Sequence, residues 1–165
     1  MFMTNDIFLS PHFKLSEFVV SETASRHGID NTPPEEAVEN LRRLCQGTLE
    51  PLREALQLPV VITSGYRTKA LNDRLAHSSE RSQHMQGCAA DFYVSCAGRE
   101  VLIKAFRLII TSHEIDYDQL ILYPNFIHVS YVSKERNRHN ILKARSNGKL
   151  GYGKLSYANA ILLNY

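Results

Sequence analysis

The chain has 165 residues, of which 44% are hydrophobic and 22% are charged, proportions close to those of an average globular domain. This length suits one compact domain, and this composition excludes a disordered chain, a collagen-like repeat and a disulfide-dense miniprotein. The formal charge of +2 is too small, taken over the whole chain, to indicate a nucleic-acid binder. We therefore expect a domain that buries one hydrophobic core and does not bind nucleic acid.

The charge is distributed unevenly along the chain. Residues 134–165 carry seven basic residues against one acidic residue, a charge of +6, which leaves −4 for residues 1–133. The seven are Lys134, Arg136, Arg138, Lys143, Arg145, Lys149 and Lys154. We predict a domain over residues 1–133 and a basic C-terminal extension over residues 134–165 that is not a separate domain. A solvated tail and a segment that meets an anionic polymer both agree with this charge.

The cysteines and the first residues bear on the compartment. Cys45, Cys88 and Cys96 are odd in number and lack C-x-x-C spacing, so they predict neither a disulfide framework nor a thiolate zinc site. The first ten residues lack the features of a signal peptide, and no apolar run approaches the roughly 18 residues of a membrane span. We therefore expect cytoplasmic synthesis and no membrane partner.

Helices are predicted in the first third of the chain. The apolar spacing over residues 14–26 predicts a short helix with Ser16 as its N-cap. A second helix is predicted from Thr32, with prolines and acidic residues in its first turn. An apolar stripe continues this helix to Leu56, and Pro51 is expected to kink it or split it in two.

The centre of the chain alternates strands and helices. Residues 59–64 and 88–94 read as strands, and residues 68–76 and 99–112 read as helices. Residues 118–123 and 126–131 form a hairpin if residues 124–125 are a two-residue loop. Beyond residue 132 the periodicity fades. The order of these predicted helices and strands indicates an α+β fold with a small, mostly antiparallel sheet covered by helices.

The hairpin register decides which side chains share a face. It pairs Tyr123 with Phe126, Ile121 with His128 and Gln119 with Ser130. By alternation, Asp118 is expected on the face opposite His128.

Three residues are candidates for metal ligation. Asp91 lies in a strand of small or apolar residues, and His128 is flanked by Ile127 and Val129, so each needs a buried partner. With His84, they form the donor set of a catalytic zinc that keeps a fourth position for water. A His–Asp hydrogen bond beside a satisfied core histidine is the alternative. Five other histidines are predicted to lie on the surface: His12, His27, His77, His113 and His139.

The spacing around His84 matches a known family. Ser82-x-His84-x-x-Gly87-x-Ala89-x-Asp91 resembles the S-x-H-x-x-G-x-A-x-D signature of the zinc D-Ala-D-Ala peptidases of the M15 group, whose metal site is shared by hedgehog signalling domains. Residues 126–130 resemble the strand that carries the last histidine ligand in that group. Residues 118–121 resemble the strand before it. Residues 64–67 resemble the segment that carries the group's substrate-facing arginine. The resemblance extends over residues 13–131.

The resemblance implies a fold, a cofactor and an activity. It implies one Zn²⁺ per chain, held by His84, Asp91 and His128, and a hedgehog or DD-peptidase-like fold. Arg67 would hold the developing oxyanion or a terminal carboxylate, whereas a surface ion pair is its alternative role. Cys88, inside the signature, reads as a small hydrophobic residue and not as a ligand. The reaction implied is hydrolysis of a peptide bond in peptidoglycan stem peptides or a related D-amino-acid peptide, as a carboxypeptidase or an endopeptidase.

The chain departs from the family at the general base. Asn125 and Tyr123 occupy the two places where such enzymes carry an acidic residue, and neither accepts a proton at neutral pH. Asp118 is the nearest candidate base, and Glu114 is another. Two functions therefore stay open: an active zinc peptidase, and a zinc-bearing cell-wall-binding module without turnover. Relatives suggest a phage lysis (endolysin) or virion protein that is released to the wall, and we expect a monomer.

Overall fold

The computed structural model describes residues 6–76, 78–95, 98–144 and 152–163. Seven α-helices are described: α1 (Leu15–Val19), α2 (Glu22–His27), α3 (Glu35–Leu44), α4 (Glu50–Leu56), α5 (Lys69–Arg74), α6 (Arg99–Thr111) and α7 (Tyr157–Ile161). Eight strands are described: β1 (Phe8–Ser10), β2 (Phe13–Lys14), β3 (Val60–Ser64), β4 (Ala89–Val94), β5 (Gln119–Leu122), β6 (Ile127–Ser130), β7 (Asn140–Ala144) and β8 (Tyr152–Lys154). The sequence also predicts a turn over residues 96–98, of which residues 96–97 lie outside these ranges.

The first predicted helix is two helices. Ser16 lies inside α1 and is not its N-cap, and α1 ends where Val20 becomes extended. Ser21 then begins α2, because its side chain accepts a hydrogen bond from the Ala24 backbone N–H. Gly28, with φ +60°, ends α2 in the left-handed conformation that glycine adopts most easily.

The long second helix is also divided. α3 begins after Pro34 and not at Thr32. A π-helical turn over Cys45–Leu49 follows it, and Pro51 lies in the first turn of α4. The chain therefore changes from α3 to α4 through a widened turn just before the proline, where the missing proline N–H costs no helical hydrogen bond.

The main sheet is mixed. Its six strands run in the order β3-β4-β6-β5-β7-β8, and β5 pairs with β7 in parallel while the other neighbours are antiparallel. The α+β class is confirmed, but the expectation of a mostly antiparallel sheet is wrong. The reason is that β7 and β8, from the segment whose periodicity fades, extend the sheet beyond the predicted hairpin. The hairpin itself has the predicted register, with Ile121 opposite His128.

One row of residues crosses the sheet. Ser64 pairs with Asp91, Asp91 with His128, and His128 with Ile121. Because direct cross-strand partners point to the same face, these side chains lie next to each other. The sheet register thus places an aspartate and a histidine from two strands side by side.

The opposite face of the sheet faces the hydrophobic core. Phe92, Leu120 and Ile127 are fully buried there and cluster with helix residues Leu41, Leu52 and Phe106. Burying a side chain of this size contributes roughly 1.5–3 kcal/mol. In the described ranges no helix is long and apolar enough to cross a membrane.

Gly87 offers a test of how closely the loop before β4 packs on α3. Its φ is +70°, and a Cβ there would lie 2.3 Å from the carbonyl oxygen of Ala37. Gly87→Ala should therefore cost about 3 kcal/mol of unfolding free energy, from left-handed strain and overpacking together. Gly28→Ala is the matched control, because Gly28 has the same φ sign but open space around it, and should cost about 1 kcal/mol. Denaturant unfolding of both variants measures this, and equal losses would contradict the proposed clash.

Candidate metal centre

The structure brings His84, Asp91 and His128 together. Asp91 lies on β4 and His128 opposite it on β6, whereas His84 lies in a single 3-10 turn over Gln83–Gln86. Each offers one ligand atom: Nε2 of His84, Oδ1 of Asp91 and Nδ1 of His128. A ligand set separated by up to 44 positions in sequence thus meets at one point.

The spacing of these atoms suits a tetrahedral metal ion. His84 Nε2 lies 3.3 Å from His128 Nδ1 and 3.4 Å from Asp91 Oδ1, and the remaining pair is 2.8 Å apart. Ligands at about 2.0–2.1 Å from tetrahedral zinc are about 3.3 Å from each other. The two separations from His84 match this value, whereas His128 and Asp91 lie at the distance of the His–Asp hydrogen bond that the sequence offered as an alternative. Two nitrogens and one carboxylate oxygen are nevertheless the donor set of a zinc site that leaves a fourth position open.

The orientation of His84 is fixed by the backbone. Its Nδ1 donates to the carbonyl oxygen of Gly65 at 2.7 Å, so Nε2 carries the lone pair in the neutral ring. The imidazole is buried, and burial lowers the pKa of His84. A neutral ring with its free nitrogen aimed at the other donors is the form that binds a metal.

The carboxylate of Asp91 divides its oxygens between two roles. Oδ1 faces the two imidazoles, whereas Oδ2 accepts from Nη2 of Arg67 at 3.0 Å. Burial opposes ionisation, but the contacts with His128 and His84 outweigh it and keep the pKa of Asp91 well below its usual value. Asp91 is therefore ionised at neutral pH.

Arg67 lies next to the donor set. Its Nε donates to Oγ of Ser64 at 2.9 Å, and its side chain is only 14% exposed. The predicted arginine thus orients Asp91 through one edge of its guanidinium. Its contact with a substrate stays a prediction.

Asp118 lines the same cleft, but both of its carboxylate oxygens already accept hydrogen bonds. Oδ1 accepts from the backbone N–H and Nε of Arg138, and Oδ2 accepts from Gln83, Ser130 and Nη2 of Arg138. Burial raises its pKa, but the hydrogen bonds from Arg138 and Gln83 outweigh burial and lower the pKa to about 2. A carboxylate with this pKa is a weak proton acceptor at neutral pH.

The predicted orientation of Asp118 is wrong. Its carboxylate contacts Ser130, which lies on the same face of β6 as His128. The alternation rule does not apply, because Asp118 precedes the first residue of β5.

The other candidates for the base lie in different places. Glu114 is exposed and does not line the cleft, and Asn125 is exposed in the hairpin turn. Tyr123 lines the cleft, and its ring stacks on Phe126 with centroids 4.1 Å apart. Among the described residues, Asp91 and Asp118 are the acids that line the cleft.

The cleft has a volume of about 1020 Å³ and contains all three donors. One end is lined by Tyr123 and Phe126, and the other by Gln83, Asp118 and Arg138. A cleft of this size accommodates several residues of a peptide.

Sequence reasoning missed the residues that support the site. Residues 64–67 were singled out for their arginine, but the hydrogen bonds that Gly65 and Ser64 make to His84 and Arg67 were not predicted. Gly65 also packs so closely on Phe18 that a Cβ would lie 2.6 Å from it. The contact of Arg138 with Asp118 could not be predicted from local sequence, because Arg138 lies in a polar stretch 20 positions after Asp118.

The remaining histidines and cysteines that the structure describes lie outside the donor cluster. His12, His27, His113 and His139 are exposed, while His77 lies outside the described residues. Cys45 and Cys88 are buried free thiols, and burial raises the pKa of both. Cys96 is likewise outside the described ranges.

Comparison with known proteins supplies one match. The family model described as Peptidase M15 matches residues 11–130, the span that contains the three donors, Arg67 and Asp118. A search of curated proteins finds no match.

The network around Asp118 predicts a pH dependence. Its folded pKa of about 2 lies below the ordinary aspartate value of 3.8, so its contribution to stability is present above pH 4 and is lost as pH falls towards 2. Asp118→Asn should lose on the order of 2 kcal/mol at pH 7, and its difference from wild type should shrink between pH 4 and pH 2. Chemical denaturation across this range measures the effect.

Asp73→Asn is the matched control for this experiment. Asp73 forms an exposed ion pair with Lys69, and such pairs contribute about 0–1 kcal/mol. A loss in Asp118→Asn that does not change with pH would show that the carboxylate charge is not the cause.

Proposed function

Because the chain belongs to the peptidase M15 family, we propose that it is a zinc-dependent peptidase that hydrolyses a peptide bond in peptidoglycan stem peptides or a related D-amino-acid peptide. The observation that carries the proposal is the spacing of three donor atoms, from His84, Asp91 and His128, within a cleft. One Zn²⁺ per chain would bind there. A carboxypeptidase and an endopeptidase are both compatible with this donor set.

The chain's own residues prepare this site for hydrolysis. Zinc in such a site supplies a water nucleophile of lowered pKa and polarises a carbonyl group. His84 and Asp91 are held in the neutral and ionised forms that ligation requires. Arg67 fixes Asp91 and lies at the cleft wall, where its guanidinium would stabilise negative charge on a substrate oxygen.

Among the residues that the structure describes, no acid that lines the cleft is placed to act as a general base, and this supports a second candidate function. Asp118 is held by Arg138 with a pKa of about 2, and Tyr123 stands at a family position for an acid. Loss of a general base costs about 10²–10⁴-fold in rate. The alternative is therefore a zinc-bearing module that binds cell-wall peptide without turnover.

The setting of this activity follows from the proposed substrate. A protein that acts on peptidoglycan must reach the cell wall, and we propose release as a phage lysis (endolysin) or virion protein, acting as a monomer.

Assay of amine release from purified stem peptides, with and without a chelator, tests the peptidase function. Zinc content near one per chain with no release from any stem peptide would support the binding module.

Removal of one ligand tests the metal site. His84→Ala should reduce zinc from about one per chain to below about 0.1, because two donors are too few for a stable site. EDTA should lower the melting temperature of wild type by about 10 °C and leave that of the variant unchanged, since metal binding adds folding free energy. Zinc analysis after dialysis and thermal unfolding measure both. His27→Ala, at an exposed position in α2, is the control, and full zinc occupancy in His84→Ala would refute the site.

Restoration of an acid tests the missing base. Tyr123→Glu should increase kcat on stem peptides on the order of 10²-fold over Tyr123→Gln, because only the carboxylate accepts a proton. Tyr123→Gln has nearly the same shape as the glutamate variant and controls for loss of the aromatic ring. Rates of amine release between pH 5 and pH 9 measure the effect. Equal rates in the two variants would exclude this position as a place for the base.

A further inference from the structure

The cleft carries more positive charge than its acids can balance. Two of its arginines are paired, Arg67 with Asp91 and Arg138 with Asp118. Arg81 and Arg136 also line the cleft, and in the part of the chain that the structure describes their guanidinium groups have no hydrogen-bonding partner. Both side chains are exposed. Two positive charges that no acid of the cleft pairs with therefore line its wall, although Glu135, outside the cleft, interacts electrostatically with Arg136.

The residues two positions after each of these arginines meet at one end of the cleft. Arg81 precedes Gln83 by two residues, Arg136 precedes Arg138 by two residues, and both Gln83 and Arg138 bind Asp118. Asp118 in turn accepts from Ser130. Ser130 is two residues along β6 from His128, a step of about 7 Å in an extended strand, so the hydrogen-bond network of Asp118 lies one such step from the donor on β6. The stacked rings of Tyr123 and Phe126 line the other end.

We propose that Arg81 and Arg136 form a subsite for a carboxylate of an acidic peptide substrate. Because two residues of extended peptide also span about 7 Å, the proposal places the recognised acid about two residues from the scissile bond. This inference rests on the proposed peptidase function, and it adds that the substrate peptide is acidic at that position.

The arrangement favours a discrete carboxylate over a long anionic polymer. Lys134, Lys143 and Lys154, the other described basic residues of the C-terminal segment, do not line the cleft, so the charge does not continue as a track along the surface. A planar guanidinium donates two parallel hydrogen bonds to a carboxylate. Two arginines from separate segments would therefore hold one acidic side chain from two sides.

The experiment compares two labelled peptides that both end in D-Ala-D-Ala and differ only in a glutamate or a glutamine two residues before the scissile bond. Fluorescence polarisation on the zinc-loaded protein gives Kd at 50 mM NaCl for each. We expect the acidic peptide to bind about 10-fold more tightly than its amide, and each of Arg81→Gln and Arg136→Gln to lose about 2- to 5-fold of affinity for the acidic peptide only. The preference should decrease at 500 mM NaCl, because exposed charges are screened.

Arg74→Gln is the matched control. Arg74 is an exposed arginine on α5 that does not line the cleft, and its replacement should leave both affinities within twofold. Equal affinity for the two peptides, or a preference that survives in the double variant, would overturn the subsite. So would binding of a phosphate polymer that depends on Arg81 and Arg136 without any preference between the peptides.

Binding and turnover separate the two proposals. Selective binding of the acidic peptide without amine release would retain the subsite and remove the peptidase function. Amine release at equal rates from both peptides, with equal Kd values, would retain the peptidase function and remove the subsite.

Discussion

The cross-strand pairing of Asp91 with His128 is the constraint on which the site depends. Successive side chains of a strand point to opposite faces, so a slip of one residue between β4 and β6 would move a ligand into the hydrophobic core. Phe92 and Ile127 are fully buried on the opposite face of the same two strands. Because a slip would expose both, the burial that stabilises the domain also holds the two ligands side by side.

The third ligand is held from outside the sheet by the segment after β3. His84 donates through its ring to the Gly65 carbonyl, and the His84 carbonyl accepts from the Arg67 backbone N–H at 3.1 Å. The Arg67 side chain then reaches Asp91. Three consecutive residues, 65–67, thus connect the 3-10 turn to β4. Helix α1 supports the site indirectly, because its Phe18 packs directly on Gly65.

Local pattern predicted the centre of the fold, and the resemblance to the M15 group pointed to three residues that the structure brings together. Local pattern failed where distant contacts decide. The hairpin register follows from a two-residue turn, so Ile121 and His128 were paired correctly. Strand β7 was not predicted, because its position depends on pairing with a parallel strand about 20 residues away and not on an alternation of apolar and polar residues in its own sequence. Asp118 was placed on the wrong face for the same reason, since Arg138, Gln83 and Ser130 fix its side chain.

The parallel pairing of β5 with β7 has a consequence for the order in which the protein forms during synthesis. Antiparallel β5 and β6 are joined by a short turn and can pair as soon as both have been made, whereas β7 adds to the far edge of β5 only later. The last metal donor is residue 128, and Arg138 follows ten residues behind it. A nascent chain can therefore bring the three candidate metal donors together before the counter-ion of Asp118 exists, so the candidate metal site and the ion pair of Asp118 with Arg138 form in two separate steps.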